Sequence, residues 1–170
     1  MKGLKVISSY RNAFLIFLLL VPSVQAAERI AVLNYELKDL TLVPGTEAEL
    51  ARTDSIAPLL RNELEKTYGY QIIPIASQIQ NEADVAVGYL FDHADVAADL
   101  CKVHGADWIT VGRLHKPSFL FAYIKAHLIN CNSKKLVGNY TIEVKGAGKD
   151  LTAKGVAKLA IEIDQTIQSI

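Results

Sequence analysis

The sequence has no excess of charge and little cysteine. Its 170 residues carry 18 Lys and Arg against 18 Asp and Glu, without a basic cluster. A chain of this kind is a poor match for nucleic acid or for an anionic membrane surface. The two cysteines do not form a Cys-x-x-Cys motif, which argues against a catalytic dithiol and against covalent haem. There are no internal repeats and no low-complexity linkers.

Long hydrophobic runs are also scarce, and the one present lies near the amino terminus. Residues 1–26 comprise a basic segment, an apolar run from Ala13 to Val21 and a segment ending in Val24-Gln25-Ala26. This order predicts a secretory signal peptide cleaved after Ala26. The stretch from Ala13 to Val24 has 12 residues, whereas a transmembrane helix needs about 20.

Cleavage at this position would leave residues 27–170 as a single α/β domain. Three of the 18 basic residues and none of the 18 acidic ones are removed, so the net charge becomes 15 − 18 = −3. A chain of this length can bury a sizeable core. No cysteine directly follows the cut, so acylation is not expected. We expect a periplasmic protein with no membrane span in its mature chain and no nucleic-acid partner.

The first half of this domain alternates strand with helix. A strand at Ile30–Leu33 leads into a loop, residues 40–54 form a long surface connection, and a helix begins at Asp54-Ser55. A second strand follows at Tyr70–Ile75, and then a short helix from Ala94 to His104 that Gly105 ends.

The second half is strand after strand, with apolar side chains at every second position from Phe119 to Asn130 and from Leu136 to Val144. A strand at Trp108–His115 precedes them and an amphipathic helix from Val156 to Ile167 follows. The chain order β-α-β-α-β-β-β-α predicts an α/β fold with an α+β tendency. We expect a two-layer mixed sheet, parallel early and antiparallel late, with helices on one face.

Cys101 and His104 lie three residues apart near the end of the short helix. A structural zinc site needs about four N or S ligands, and the chain adds only Cys131 and three scattered histidines. We therefore predict no metal and no cofactor, and expect His104 to bond a last helix carbonyl. An exported protein with two cysteines permits a Cys101–Cys131 disulfide. Cys131 lies on the strand face less expected to meet helices, so the bridge and two free thiols both remain open.

Other combinations give no catalytic residues. The segment "KGAGKD", residues 145–150, resembles a phosphate loop, but Thr141 replaces its first glycine and Asp150 replaces its Ser or Thr. Glu36 and Asp39 could form a cation site, but acidic residues in a solvated loop are the simpler interpretation. No Ser/His/Asp arrangement stands out.

The candidate binding surface is the second face of the strand that begins at Phe119. Phe119, Phe121 and Tyr123 project together from it, and Arg113 and His115 precede them. If no helix or loop covers this face, it is an aromatic patch with a cationic rim, which is typical of a protein contact.

A family resemblance comes from "IAVLNYELKDLTL" and from the stretch Gly105–Gly146. The latter contains Gly105-Ala106-Asp107, then Val111-Gly112 followed by Lys116 and Ser118, and a long hairpin. These motifs resemble a bacterial family of predicted periplasmic proteins with a domain of unknown function. More distantly, the chain is similar to the amino-terminal α/β domain of TolB-type proteins, which implies assembly and contacts rather than catalysis. It departs from the family at residues 151–155, where a Trp-Arg-Arg-Gly-like segment is missing.

The leading hypothesis is therefore a non-catalytic periplasmic accessory protein that contacts a protein partner through Arg113, His115, Phe119, Phe121 and Tyr123. The alternative is a binder of a small molecule or metal that uses His104, His115 or His127 with the cysteines.

Overall fold

A mixed sheet with five helices makes up the part of the chain that the computed structural model describes, residues 27–146 and 149–170. The signal peptide predicted for residues 1–26 and the middle of the segment 145–150 lie outside the described residues. The strands are β1 (Arg29–Val32), β2 (Glu36–Asp39), β3 (Gln71–Ile72), β4 (Trp108–Lys116), β5 (Phe121–Asn130) and β6 (Lys135–Lys145). The helices are α1 (Glu47–Tyr68), α2 (Ser77–Ala83), α3 (Tyr89–Asp92), α4 (Ala94–Val103) and α5 (Lys149–Gln168).

The sheet has the order β3-β1-β4-β5-β6, and β2 pairs with the second half of β4. The pairs β1–β3, β1–β4 and β2–β4 are parallel, whereas β4–β5 and β5–β6 are antiparallel. The predicted α/β class and the mixed sheet, parallel early and antiparallel late, are confirmed. None of the helices in the described ranges is long and apolar enough to cross a bilayer.

Helices cover both faces of the sheet, whereas we expected them on one face only. One hydrophobic cluster joins α1 and α5 to the even-numbered residues of β5, such as Ile124 and Leu128. A smaller cluster joins α3 and α4 to the odd positions Ile109, Val111 and Ile129. Alternate side chains of β4 and β5 therefore contribute to two hydrophobic cores, one on each face of the sheet. The smaller core does not reach the start of β5, where the odd-numbered side chains are exposed or half-buried.

The start of α1 was predicted wrongly at Asp54-Ser55. The helix begins at Glu47, with Thr46 as its N-cap, and the Glu49 amide donates to Thr46 Oγ1 at 3.4 Å. Thr followed by Glu three residues later is a helix-start pattern, and it lies within the segment interpreted as a surface connection.

Two further elements differ from the expectation. The loop after the first strand contains β2, which pairs with β4, a strand about 77 residues further along the chain. The predicted strand at Tyr70–Ile75 is reduced to the two paired residues of β3 at the sheet edge, consistent with the missing amide of Pro74. The predicted end of the short helix is correct, since α4 stops at Val103 and Gly105 has a left-handed φ of 76°.

Gly112 explains the Val-Gly motif of β4. A Cβ atom at this position would overlap the ring of Tyr35, which lies directly on the strand and is buried. The residue must therefore be glycine because the tyrosine ring occupies the space of a side chain.

Gly112→Ala is expected to lower the free energy of unfolding by about 1–3 kcal/mol, the usual range for overpacking a core. In a Tyr35→Leu background the same substitution should cost much less, because the ring that it displaces is gone. Urea denaturation of the four proteins measures both costs. Equal costs in the two backgrounds would contradict the assignment.

A disulfide joins Cys101 of α4 to Cys131 in the turn after β5, with 5.8 Å between the Cα atoms. Both residues are fully buried in the smaller hydrophobic cluster. The turn can meet α4 because this helix packs on the odd-numbered face of β5, to which Cys131 belongs.

Replacing both cysteines with alanine is expected to lower the free energy of unfolding by about 3.5 kcal/mol, because the bridge closes a loop with a sequence separation of 30 residues. Reduction of the wild-type protein by dithiothreitol should shift its urea midpoint in the same direction and leave the double variant unchanged. If reduction has no effect on the wild type, the bridge does not stabilise the fold in this way.

Candidate functional site

Two loops leave the same end of the sheet, because β2 and β4 are parallel and end at the paired residues Asp39 and Lys116. The loop after β2 follows this pair directly, since the Leu40 amide donates to the carbonyl of Lys116 at 2.9 Å. Large apolar side chains on these loops and at the start of β5 are 39–93% exposed. We call them the apolar tip: Leu40, Leu42, Val43, Phe119, Leu120 and Phe121.

Side-chain hydrogen bonds give both loops a defined shape. The carboxylate of Asp39 accepts from the Thr41 hydroxyl at 2.7 Å, from the Thr41 amide at 3.0 Å and from the Gly45 amide at 3.3 Å. In the second loop, the Phe121 amide donates to Ser118 Oγ at 3.3 Å. The exposed apolar side chains therefore project from an ordered backbone.

A buried group of four charged residues lies beneath the tip. Lys116 Nζ is 3.1 Å from Glu49 Oε1 and 3.6 Å from Asp39 Oδ2, and Glu49 Oε2 is 3.4 Å from Arg52 Nη1. Arg52 Nε donates to Thr152 Oγ1 of α5 at 3.0 Å. All four charged side chains are less than 10% exposed. This tip network joins β2, α1, β4 and α5, with two positive and two negative charges.

The pKa of Asp39 is lowered within this network. Burial acts to raise it, but the hydrogen bonds from Thr41 and Gly45 and the charge of Lys116 together outweigh burial. The carboxylate is therefore held ionised at neutral pH. The cost of burying the Asp39 carboxylate is therefore offset by its hydrogen bonds and by Lys116, and the same contacts fix the conformation of the loop.

The predicted aromatic patch divides between the tip and the open face of the sheet. Phe119 and Phe121 belong to the tip, and Phe119 is 64% exposed. Tyr123 and His115 are cross-strand partners on the sheet face and are half-buried. Burial first, and then the charges of Lys125, Lys38 and Arg113, lower the pKa of His115.

Arg113 does not form the exposed rim that the sequence led us to expect. Its Nε is 2.6 Å from Glu36 Oε1, and its guanidinium carbon lies 3.8 Å from the centre of the Phe91 ring. The same ring stacks on His127 at 3.9 Å, and His127 Nδ1 is 3.0 Å from the Phe91 carbonyl oxygen. Arg113 thus lies beneath α3, where it attaches this short helix to the sheet.

The side chains considered for metal binding lie apart. The two cysteines form the disulfide, and His104 Nδ1 is 2.9 Å from the Leu100 carbonyl oxygen. Within residues 27–146 and 149–170, no three His, Cys, Asp or Glu side chains are grouped so that they could hold a metal ion. Glu36 and Asp39 separate as well, one pairing with Arg113 and the other with Lys116.

Sequence reasoning missed Glu49, Arg52 and the first loop of the tip. Glu49 and Arg52 were placed in a surface connection, although the capping pattern at Thr46 could have placed them on a helix. The apolar residues Leu40, Leu42 and Val43 stand in a segment rich in turn residues, where their frequency was the available indication.

The model of the DUF3280 family, described as "Protein of unknown function (DUF2380)", matches residues 28–162. No curated protein matches the sequence. Among solved structures, TolB from Acinetobacter baumannii is similar at 11% identity with a TM-score of 0.52, over 85% of this chain and 29% of that chain. The LpoB C-terminal domain from Salmonella enterica is similar at 14% identity with a TM-score of 0.48, over 73% and 87% of the two chains. The expected membership of a family of unknown function and the TolB-like fold are confirmed.

Lys116→Met should lower the free energy of unfolding by about 3–5 kcal/mol, because it leaves the buried carboxylates of Asp39 and Glu49 without their shared cation. Lys116→Arg, which keeps the charge, serves as the control and should lose much less. Urea denaturation at pH 7 compares the two variants, and equal losses would contradict a role for the charge.

The pH dependence of stability should change in the same variants. A carboxyl group whose pKa is lowered in the folded state stabilises the fold above its ordinary pKa, and this stability is lost as the pH falls through the lowered value. Lys116→Met removes one of the causes that lower the pKa of Asp39. Less stability should therefore be lost as the pH falls than in Lys116→Arg, and the loss should be complete at a higher pH, as measured by urea denaturation at a series of pH values.

Proposed function

We propose that this chain, which belongs to the DUF3280 family of unknown function, is a non-catalytic interaction protein that contacts a protein partner in the periplasm through its apolar tip. The observation that carries the proposal is the group of six exposed apolar side chains at one end of the sheet. The proposal includes export, with cleavage after Ala26, and one domain formed by residues 27–170.

Exposed apolar side chains favour a partner because their burial between two proteins is a main source of binding free energy. Leu42 is 93% exposed and Leu120 is 72% exposed, so most of each side chain is available for contact. Their loops are ordered by Asp39 and by the tip network. Little conformational entropy is then lost on binding, which raises affinity for a given contact area.

The residues predicted from the sequence fit this surface in different roles. Phe119 and Phe121 are contact residues within the tip, and His115 and Tyr123 border it on the sheet face. Arg113 is a supporting residue beneath α3. We assign the charged groups of the tip network to holding the loops, because they pair with one another and their side chains are less than 10% exposed.

Replacing Leu42, Phe119 and Phe121 together with serine should abolish capture of the partner from a periplasmic extract. Truncation of a central interface residue often costs more than 1 kcal/mol, so recovery should fall by about tenfold or more. Recovery is measured by quantitative mass spectrometry of the captured proteins, against a resin without the protein.

Val87→Ser with Val103→Ser is the matched control, because these side chains are 90% and 84% exposed and lie outside the tip. This control should keep the partner, and the urea midpoints of both variants should match the wild type. Absence of any specific partner, or its full retention by the tip variant, would refute the proposed function.

A further inference from the structure

A group of basic side chains occupies the open face of the sheet next to the tip. Lys38, His115 and Lys125 come from the adjacent strands β2, β4 and β5. Lys38 and His115 are register partners, and Lys125 pairs with Arg113, two residues before His115 on the same face. We call Lys38, His115 and Lys125 the basic face.

Two carboxylates on the strands of this face are paired with other residues. Glu36 is 2.6 Å from Arg113, and Glu143, the register partner of Tyr123, is 3.9 Å from Lys145. In the part of the chain that the structure describes, no carboxylate lies within 4.0 Å of the amine of Lys38 or Lys125. Two lysines in the described ranges thus have no carboxylate within salt-bridge distance, in a chain whose residues 27–170 carry a net charge of −3 (15 − 18).

The electrostatics of His115 agree with this arrangement. After burial, the causes that lower its pKa are the three cations Lys125, Lys38 and Arg113. Arg113 is paired with Glu36, whereas Lys38 and Lys125 have no such partner among the described residues and repel a proton on His115, so an incoming anion would relieve this repulsion.

The basic face is continuous with the apolar tip. Tyr123 is the register partner of His115, and Phe121, two residues earlier in the same strand, belongs to the tip. The lysines of β2 and β5 are separated by β4 and offset by two residues along the strands, so their backbones are about 12 Å apart on the sheet. Such a surface suits an extended or helical segment with several carboxylates better than it suits one small anion.

We propose that the basic face receives a carboxylate-bearing segment of the protein partner, while apolar side chains of the same partner cover the tip. This inference rests on the proposed function and adds the chemistry of the partner. Carboxylates on the segment would pair with Lys38 and Lys125. The rings of Phe121 and Tyr123 would lie between these ion pairs and the apolar contacts at the tip. Two lysines and one histidine are few for nucleic acid, whose binding depends on neutralising many phosphates.

The test is an NMR titration of the full protein with a short synthetic peptide of alternating glutamate and leucine. This probe should move the resonances of His115 and Lys125 and raise the pKa of His115. A peptide of alternating lysine and leucine should do neither. Affinity should increase as the pH falls towards the pKa of His115, because the ring then gains a positive charge.

Charge reversal gives the decisive comparison. Lys38→Glu with Lys125→Glu should weaken binding of the acidic peptide by at least about tenfold, since like charges then face each other. Lys102→Glu with Lys154→Glu changes two exposed lysines elsewhere by the same charge and should bind as the wild type does. Equal binding of the two peptides, an unmoved His115 resonance or equal loss in both variants would overturn the inference.

The outcomes separate this inference from the proposed function. If the tip variant loses the captured partner but Lys38→Glu with Lys125→Glu retains it fully, the proposed function stands and the basic face is not part of the contact. If the tip variant keeps the partner, the proposed function fails regardless of the peptide result. Binding of phosphatidylglycerol vesicles without binding of the acidic peptide would assign the basic face to lipid and overturn the inference.

Discussion

Lys116 is the cation on which one end of this molecule depends. Its amine lies between the carboxylates of Asp39 and Glu49, and Arg52 extends the network to α5. Four elements from three separate stretches of the chain are therefore joined through this network. Removing charges from water is costly, and apolar residues at these positions would pack with less difficulty. The network instead fixes the two loops that carry the tip.

The exposure of the apolar tip depends on the tip network beneath it. Apolar side chains on a mobile loop would collapse onto the nearest hydrophobic surface of the same chain, because water exclusion has no direction. Here Asp39 accepts hydrogen bonds from two backbone amides and one hydroxyl of the loop, and Leu42 stays exposed. The exposure is thus a property of the folded backbone and is compatible with a surface kept for another molecule.

Local patterns predicted the second half of the fold well and the first half poorly. The alternation in β5 and β6 and the glycine after α4 are short-range features, and each was located from the sequence. The strand β2 forms through pairing with β4, which no local pattern reveals. The Cys101–Cys131 bridge stayed undecided for the same reason, because it depends on which sheet face α4 covers. The strand face of Arg113 was predicted correctly. The residue was nevertheless expected at the surface, because the sequence did not reveal α3, which covers it.

The covalent bridge and the ion network lie at opposite ends of β5. The strand begins at the tip with Phe121 and ends at Asn130, next to Cys131, about 30 Å away. Reducing agents act on the disulfide end, whereas protons act on the end where Asp39 pairs with Lys116. The protein therefore has two chemically independent anchors, and acidity can loosen its contact loops while the far end of the sheet remains covalently closed.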